Sequence, residues 1–317
     1  MFDKRFPRRV LPTEEAVKAV QGFLTRTGKT WFLDIECPSR LSLKGGDEDC
    51  LSLRTPYQRL DVLRLHGFGL CMILDGRIQL AESDEWIYHE LLIHPACVFH
   101  GDPRRVIVLG GGDGCAVREL LRYPHLTDIT LVDIDEVVVK VFRDRFSSLN
   151  GGALQDPRVH LVCADALEYL RTQQEPYDLI VSDLTEPFDP SELGGNLSFH
   201  LYTPASYQLI RDRLTQNGIF VCQTGGILSQ PEHDRFHLDI LPGIRDHFPR
   251  VATGYEFVPS FGELWTITLA SAGPLHLEPS QVDGALARLL VKGLRYYDGI
   301  THRRAFSPPL FVRAREA

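Results

Sequence analysis

The sequence has no stretch approaching the roughly 20 apolar residues that a membrane span needs. Its first residues, MFDKRFPRRV, are charged and lack the apolar core of a secretory signal. It also has no run of basic residues, and its formal net charge is -8, so the basic stripe of a nucleic-acid surface is missing. The seven cysteines (Cys37, Cys50, Cys71, Cys97, Cys115, Cys163, Cys222) are odd in number, scattered and without a C-x-x-C pair. That pattern excludes a disulfide framework and points to reduced thiols in a cytoplasm. No G-x-S-x-G elbow surrounds Ser182, Ser191 or Ser198, so serine hydrolysis is unsupported. His89 and His94 are five residues apart rather than the four of H-E-x-x-H, so they do not form that zinc motif, and no metal is expected. His94, just before Pro95, reads as a histidine at a helix end. Cys163 and Cys222 lie in apolar runs and read as core.

What is present is an ordinary globular composition. With 317 residues, 44% of them apolar, the chain can bury a sizeable core in one large or two modest domains. Thr13 to Thr25 has a capping-type start and helical spacing. From about residue 30 to 82 come strand-like runs, WFLDIEC, CLSLRT, YQRLDVLRL and CMILDGRIQLA, separated by KGGDE and HGFG. A small antiparallel β domain over residues 1–82 is the expected result. From Asp84 the pattern becomes a helix, EWIYHELLIHPAC, and then alternating strands and helices, with strands at RVIVLG, DITLVDID, VHLVCAD, DLIVSDL, GIFVCQT and WTITLAS. Such alternation predicts a doubly wound, parallel α/β sheet of Rossmann-like, methyltransferase type over residues 83–317. Ligands of such sheets bind beyond the C-terminal strand ends, at the switch point.

Those strand ends are acidic. The run VIVLGGGDG ends the first strand in a glycine loop carrying Asp113 among Gly110, Gly111, Gly112 and Gly114. Glycines there let the backbone approach a ligand, but a carboxylate opposes the phosphate that such loops otherwise bind. Asp113 therefore favours a cationic group such as an ammonium, unless it serves only as the N-cap of the next helix. The second strand supplies Asp133, placed to accept ribose hydroxyls, and Asp135, which reads equally as a helix N-cap. The third supplies Asp165 followed by Ala166, placed for the adenine amine and ring nitrogen of an adenosyl group. The fourth supplies Asp183 and Glu186 ahead of Pro187 on a loop, two carboxylates suited to binding ammonium ends and taking a proton from an attacking nitrogen. Residues 189–196, DPSELGGN, read either as a lid or as a plain surface loop.

Taken together, these motifs make the sequence resemble the polyamine aminopropyltransferases, the spermidine synthase family, over about residues 50 to 312. The resemblance is carried by TPYQ, ILDGRIQLAESDEWIYHELLIHP, GGGDG, LVDIDE, DPRVHLVCADA, YDLIVSDLTEP, LYTPASYQLI, FVCQTG, VPSFGELW and YYDGITHRRAFSPP. It implies transfer of the aminopropyl group of decarboxylated S-adenosylmethionine, a co-substrate rather than a resident cofactor, to a polyamine, with release of methylthioadenosine. It further implies that Gln58, Asp133, Asp165 and Ala166 hold the adenosyl part, beside the loop of Gly110, and that Asp113 and His89 hold the aminopropyl ammonium. Asp183 would act with Tyr88 as the catalytic pair, and Tyr202, Gln223, Glu186, Phe261 and Trp265 would line the acceptor side. Tyr296 and Tyr297 either close that side or only pack. A homodimer or homotetramer through the N-terminal region is implied as well, with no nucleic-acid or membrane partner. Two residues depart from the commonest pattern. Glu186 stands where many members carry Asp, and Phe261 stands where diamine-specific members tend to carry Tyr, with VPSF and Trp265 nearer the thermospermine type. Spermidine, putrescine and agmatine all stay open as acceptors. The competing readings are a methyltransferase using intact S-adenosylmethionine, on the same fold, and a non-catalytic polyamine-binding protein.

Overall fold

The computed structural model describes residues 31–33, 41–43, 50–185, 198–227 and 234–316. The expected helix at 13–25, the KGGDE turn, Glu186 and the 189–196 segment lie outside the described residues. The chain divides into two compact units, Met1–Leu53 with Gln58–Ser83, and Arg54–Tyr57 with Asp84–Ala317.

The first unit contains a two-stranded antiparallel pair, β1 (Trp31–Leu33) and β2 (Leu41–Leu43). Beyond it β3 (Leu51–Arg54), β4 (Arg59–Leu65), β5 (Gly69–Leu74) and β6 (Arg77–Ala81) line up in that order in a four-stranded sheet. The run CMILDGRIQLA, read as one strand from sequence, is a hairpin. Asp75 and Gly76 both take positive φ, at 47° and 85°, which is the Asp-Gly turn whose twist suits a two-residue hairpin. The core of this sheet is Leu65, Cys71, Ile73, Ile78 and Ala81.

The second unit opens with helix α1 (Glu85–His100), followed by β7 (Arg105–Gly110), α2 (Cys115–Leu120), β8 (Asp128–Asp133), α3 (Glu136–Asp144), β9 (Val159–Cys163) and α4 (Ala166–Thr172). Then come β10 (Tyr177–Asp183), α5 (Pro204–Asp212), β11 (Leu214–Gly226), α6 (Asp234–His247), β12 (Arg250–Val258) and β13 (Glu263–Ser271). Helices α7 (Pro279–Arg288), α8 (Gly299–Ala305) and α9 (Leu310–Glu316) complete it. The seven strands are ordered β12-β13-β11-β10-β7-β8-β9. Strands β7 to β11 run parallel, whereas β13 is antiparallel to both β11 and β12. The sheet is thus of the expected class with two differences. WTITLAS runs against its neighbours, and RVATGYEFV forms a strand, β12, that joins it by a short return. A return of Pro259 to Gly262 is far too short for a parallel crossover, so antiparallel pairing is the only geometry available.

Apolar residues of β7, β8, β10 and β11 (Ile107, Leu109, Val132, Ile180, Phe220, Cys222) pack with Leu167, Leu170, Tyr207, Ile210, Ile240 and Ile244 of α4, α5 and α6. Helix α1 lies against β10, β11 and β12. It continues through Pro95, which corrects the expectation that His94 ends it. The missing proline N–H removes one ladder bond, but Leu91, Leu92, Ile93, Ala96 and Cys97 are almost wholly buried, and that burial outweighs the lost bond. Cys163 is the other correction. It is exposed at the end of the edge strand β9, and of the two only Cys222 is core.

Chain order reverses between β7 and β10, which are adjacent although β8 and β9 lie on one side and β11 on the other. Crevices in open α/β sheets form at this kind of reversal. Asp183 and Gly110 are register partners at its mouth.

Candidate active site

Gly110 and Gly111 turn the chain at the end of β7 with φ of 79° and 68°. A Cβ on Gly110 would lie 2.3 Å from the Asp183 carbonyl oxygen, and one on Gly111 would lie 2.9 Å from Asp183 Oδ2. Only glycine lets this loop close against β10, and the Gly111 amide then donates to the Asp183 carbonyl at 2.9 Å. On the other flank, the Gly112 amide donates to Asp133 Oδ2 at 3.0 Å and the Asp135 amide to Asp133 Oδ1 at 2.8 Å. Burial nonetheless pushes the Asp133 carboxyl up to about 6, against the help of those two amides. The loop therefore sits between two acids, as the sequence led one to expect.

Asp113 lies one residue before the N-cap of α2, which is Gly114, so the reading of Asp113 as that cap is corrected. Its Oδ1 accepts from the Cys115 amide at 2.8 Å in the first turn of α2, and the same oxygen is 3.9 Å from His89 Nε2. Asn150, which no motif marked, fixes the backbone there by donating to the Asp113 carbonyl at 2.7 Å.

Tyr88 and His89 come from α1. The Tyr88 hydroxyl donates to Asp183 Oδ1 at 2.7 Å, and Asp183 Oδ2 is buried with no hydrogen-bond partner among the described residues. His89 Nε2 lies 4.0 Å from that Oδ2. Burial, with the nearby charge of Asp113, raises the Asp183 carboxyl to about 6, while the His89 charge and the Tyr88 bond work the other way. His89 Nδ1 is 2.8 Å from the Glu85 carbonyl oxygen and 2.9 Å from Glu85 Oε2. Burial opposes a charged His89, yet the Glu85 bond and the charges of Asp113, Glu85 and Asp183 lift it to about 9.

Glu85 and Arg118 were not singled out from the sequence. Arg118 grips Glu85 with both terminal nitrogens, at 2.9 and 2.7 Å, and reaches Glu119 through Nε at 2.8 Å. The spacing of Glu85 four residues before His89 was a readable signal, since i and i+4 share a helix face. The Arg118 contact is tertiary and had none.

The remaining candidates divide. Phe261 stands edge-on to Tyr88, with centroids 5.8 Å apart, and 4.7 Å from Trp265, whose buried Nε1 has no partner among the described residues. Its turn is tied to the start of α1 by the Ser260 amide donating to Asp84 Oδ2 at 2.7 Å. Gln223 is buried and braces backbone, donating to the Leu184 carbonyl at 2.7 Å and accepting from the Gly225 amide at 2.8 Å. Tyr202 is half-buried, with its hydroxyl 3.4 Å from the Thr185 carbonyl. Asp165 caps α4 through the Glu168 amide at 2.9 Å, and its other oxygen is 2.8 Å from His200 Nε2; Ala166 follows as the first, buried residue of that helix. Asp135 caps α3 and accepts from the Thr55 hydroxyl at 2.7 Å. Gln58 belongs to the first unit, one residue before β4.

The two C-terminal tyrosines separate as well. The backbone amides of Arg295, Tyr296 and Tyr297 all donate to the buried Glu90 carboxylate, at 2.8, 2.9 and 2.8 Å. Tyr297 is thereby core, paired with His302 at 2.8 Å, while Tyr296 meets Glu256, Arg304 and the tilted ring of Trp86.

A family model described as the spermine/spermidine synthase domain matches residues 85–276. The chain is 33% identical over 292 residues to a polyamine aminopropyltransferase of Sulfolobus acidocaldarius, covering 90% of this chain and 92% of the relative. It is 35% identical over 243 residues to a polyamine aminopropyltransferase of Aeropyrum pernix, covering 76% of this chain and 75% of that one. Among solved structures, a spermidine synthase in complex with the transition-state analogue AdoDATO matches with a TM-score of 0.79 at 25% identity, over 100% of this chain and 98% of the other.

Proposed function

Because the chain belongs to the spermine/spermidine synthase family, we propose that it moves the aminopropyl group of decarboxylated S-adenosylmethionine to a polyamine acceptor, spermidine, putrescine or agmatine. The observation that carries this reading is the pairing of Tyr88 with a buried Asp183 beside Asp113 and His89 at the glycine loop. An aliphatic amine, with a pKa near 10.4, is almost wholly protonated at neutral pH and needs a base before it can attack. Asp183, oriented by Tyr88, takes that proton. The freed nitrogen lone pair attacks the carbon next to sulfur, and the carbon–sulfur bond breaks with its electrons passing to sulfur. Methylthioadenosine leaves as a neutral thioether, so the leaving group needs no further activation.

In this reading Asp113 and His89 receive the aminopropyl ammonium, and Asp133, Asp165, Ala166 and Gln58 receive the adenosyl part. His200 withdraws from Asp165 when the adenine amine arrives. Phe261, Trp265, Tyr202, Gln223 and Glu186 bound the acceptor side. Intact S-adenosylmethionine would bring a carboxylate towards Asp113, and two unit charges about 4 Å apart repel by roughly 4 kcal/mol at an effective dielectric of 20. That term favours the decarboxylated donor. The reading includes a homodimer or homotetramer, which light scattering would test, and a cytoplasmic setting, with which the free state of the six cysteines among the described residues agrees. No helix among the described residues is long and apolar enough to cross a membrane.

Asp183→Asn keeps an acceptor for Tyr88 and removes the base. Turnover is expected to fall by about 100-fold or more, the usual worth of a positioned base, while amine binding measured calorimetrically survives. Unchanged turnover would sink the assignment of Asp183.

A further inference from the structure

Three polar atoms face one gap at the end of the glycine loop: His89 Nε2, Asp113 Oδ1 at 3.9 Å from it and Asp183 Oδ2 at 4.0 Å. Both distances exceed a hydrogen bond. The other imidazole nitrogen has no freedom, because a carbonyl oxygen only accepts and the Glu85 carbonyl lies 2.8 Å from Nδ1. Nδ1 therefore carries a hydrogen in every state, and Nε2 is the one position where the proton count varies. We propose that this gap exchanges a proton for an ammonium. Nε2 is protonated while the gap is empty, and it gives up that proton when a primary ammonium enters and offers its three hydrogens to Nε2, Asp113 and Asp183. Glu85, gripped by Arg118, is the positioning residue that holds the imidazole in place and keeps it charged in the empty site.

The groups facing His89 support this. From α1 they are Glu85 and Tyr88, whose ring stands edge-on at 4.9 Å. From the loop after β7 comes Asp113, from β10 Asp183, and from α2 Cys115 and, through Glu85, Arg118. Burial keeps the Cys115 thiol neutral, and His89 and Arg118 hold the Glu85 carboxyl below its usual range despite its burial. Three carboxylates thus surround the ring, and a proton is the resident counter-charge. An incoming ammonium and an N–H at Nε2 are two donors and two like charges across less than 4 Å, so one must leave. The substrate ammonium, with a pKa near 10.4, keeps its protons.

The inference rests on the donor reading above and is tested by calorimetry at pH 7.5 in two buffers of different ionisation enthalpy. Decarboxylated S-adenosylmethionine is expected to release about one proton per site, by linkage. Methylthioadenosine, which lacks the ammonium, is expected to release none. Donor affinity should rise about tenfold per pH unit between pH 7 and 8. His89→Gln should bind the donor without proton release and with a flat pH dependence. Glu85→Gln should release fewer protons at pH 7.5, because the imidazole then loses its charge at lower pH. Donor binding to the wild type with no proton release, or equal release from wild type and His89→Gln, overturns the exchange. No donor binding while methylthioadenosine binds overturns the donor reading instead.

Discussion

Asp183 is held where its charge is costly. Its carboxyl is raised to about 6 by burial, well above the roughly 3.9 of a free Asp. A group raised on folding adds stability below its unfolded pKa and loses it as pH rises through the folded one, so ionised Asp183 destabilises the fold at neutral pH. Two units correspond to about 3 kcal/mol. Asp183→Asn is therefore expected to raise Tm by several degrees at pH 7.5 and to leave it unchanged near pH 3. Calorimetric melts at both values check this, and a lower Tm at pH 7.5 would contradict the buried-charge account. As the proposed base, the same group is expected to set the acid limb of catalysis, with kcat/KM dropping steeply below about pH 6. At this scale the sequence was most legible for acids that end strands. Asp113, Asp133, Asp165 and Asp183 could be placed because the strand pattern puts all four on one rim. What their carboxylates bond to was not legible, since the Gly112 amide reaches Asp133 and His200 reaches Asp165 only after tertiary packing.

Helix α1 does three jobs at once. It supplies Tyr88 and His89 to the rim, carries Glu85 one turn earlier, and presents Glu90 to the amides of residues 295–297. A buried carboxylate accepting three amides ties the C-terminal segment to the helix that bears the site. Glu90→Ala leaves those amides without their acceptor, and hydrogen bonds to a charged group contribute about 1.5–3 kcal/mol each before relaxation. The expected outcome is a loss of at least about 3 kcal/mol in urea denaturation and faster proteolysis near residues 290–298. A variant as stable as the wild type would show that the segment is held by Tyr297 and its neighbours alone. The helix itself was read from the run EWIYHELLIHPAC, which stops three residues short of its end at His100. Local rules stop a helix near Pro95, and only burial on both sides of the proline carries it to His100. Likewise the strand β12 was missed although Pro259, Ser260 and Gly262 mark the return after it, and the direction of β13 depends on its partners.

Within the second unit, the sheet reversal between β7 and β10 brings the glycine loop, Asp183 and the start of α1 to one place, the first two contributing carboxylates and the third an imidazole. In the proposed reading a cationic co-substrate meets two carboxylates and an imidazole there, and an aromatic pair of Phe261 and Trp265 adjoins Tyr88. The architecture and the rim were within reach of the sequence because strand and helix alternation and strand-end acids are local patterns. The acceptor was not, because it depends on the surroundings of Phe261 and on Glu186. The measurement that bears most directly on the account is mass spectrometry of the products formed by the pure protein from decarboxylated S-adenosylmethionine and a mixture of putrescine, cadaverine, agmatine, spermidine and spermine. The account predicts methylthioadenosine together with one amine made heavier by a single aminopropyl unit, which also names the acceptor. Absence of methylthioadenosine with every amine would contradict it.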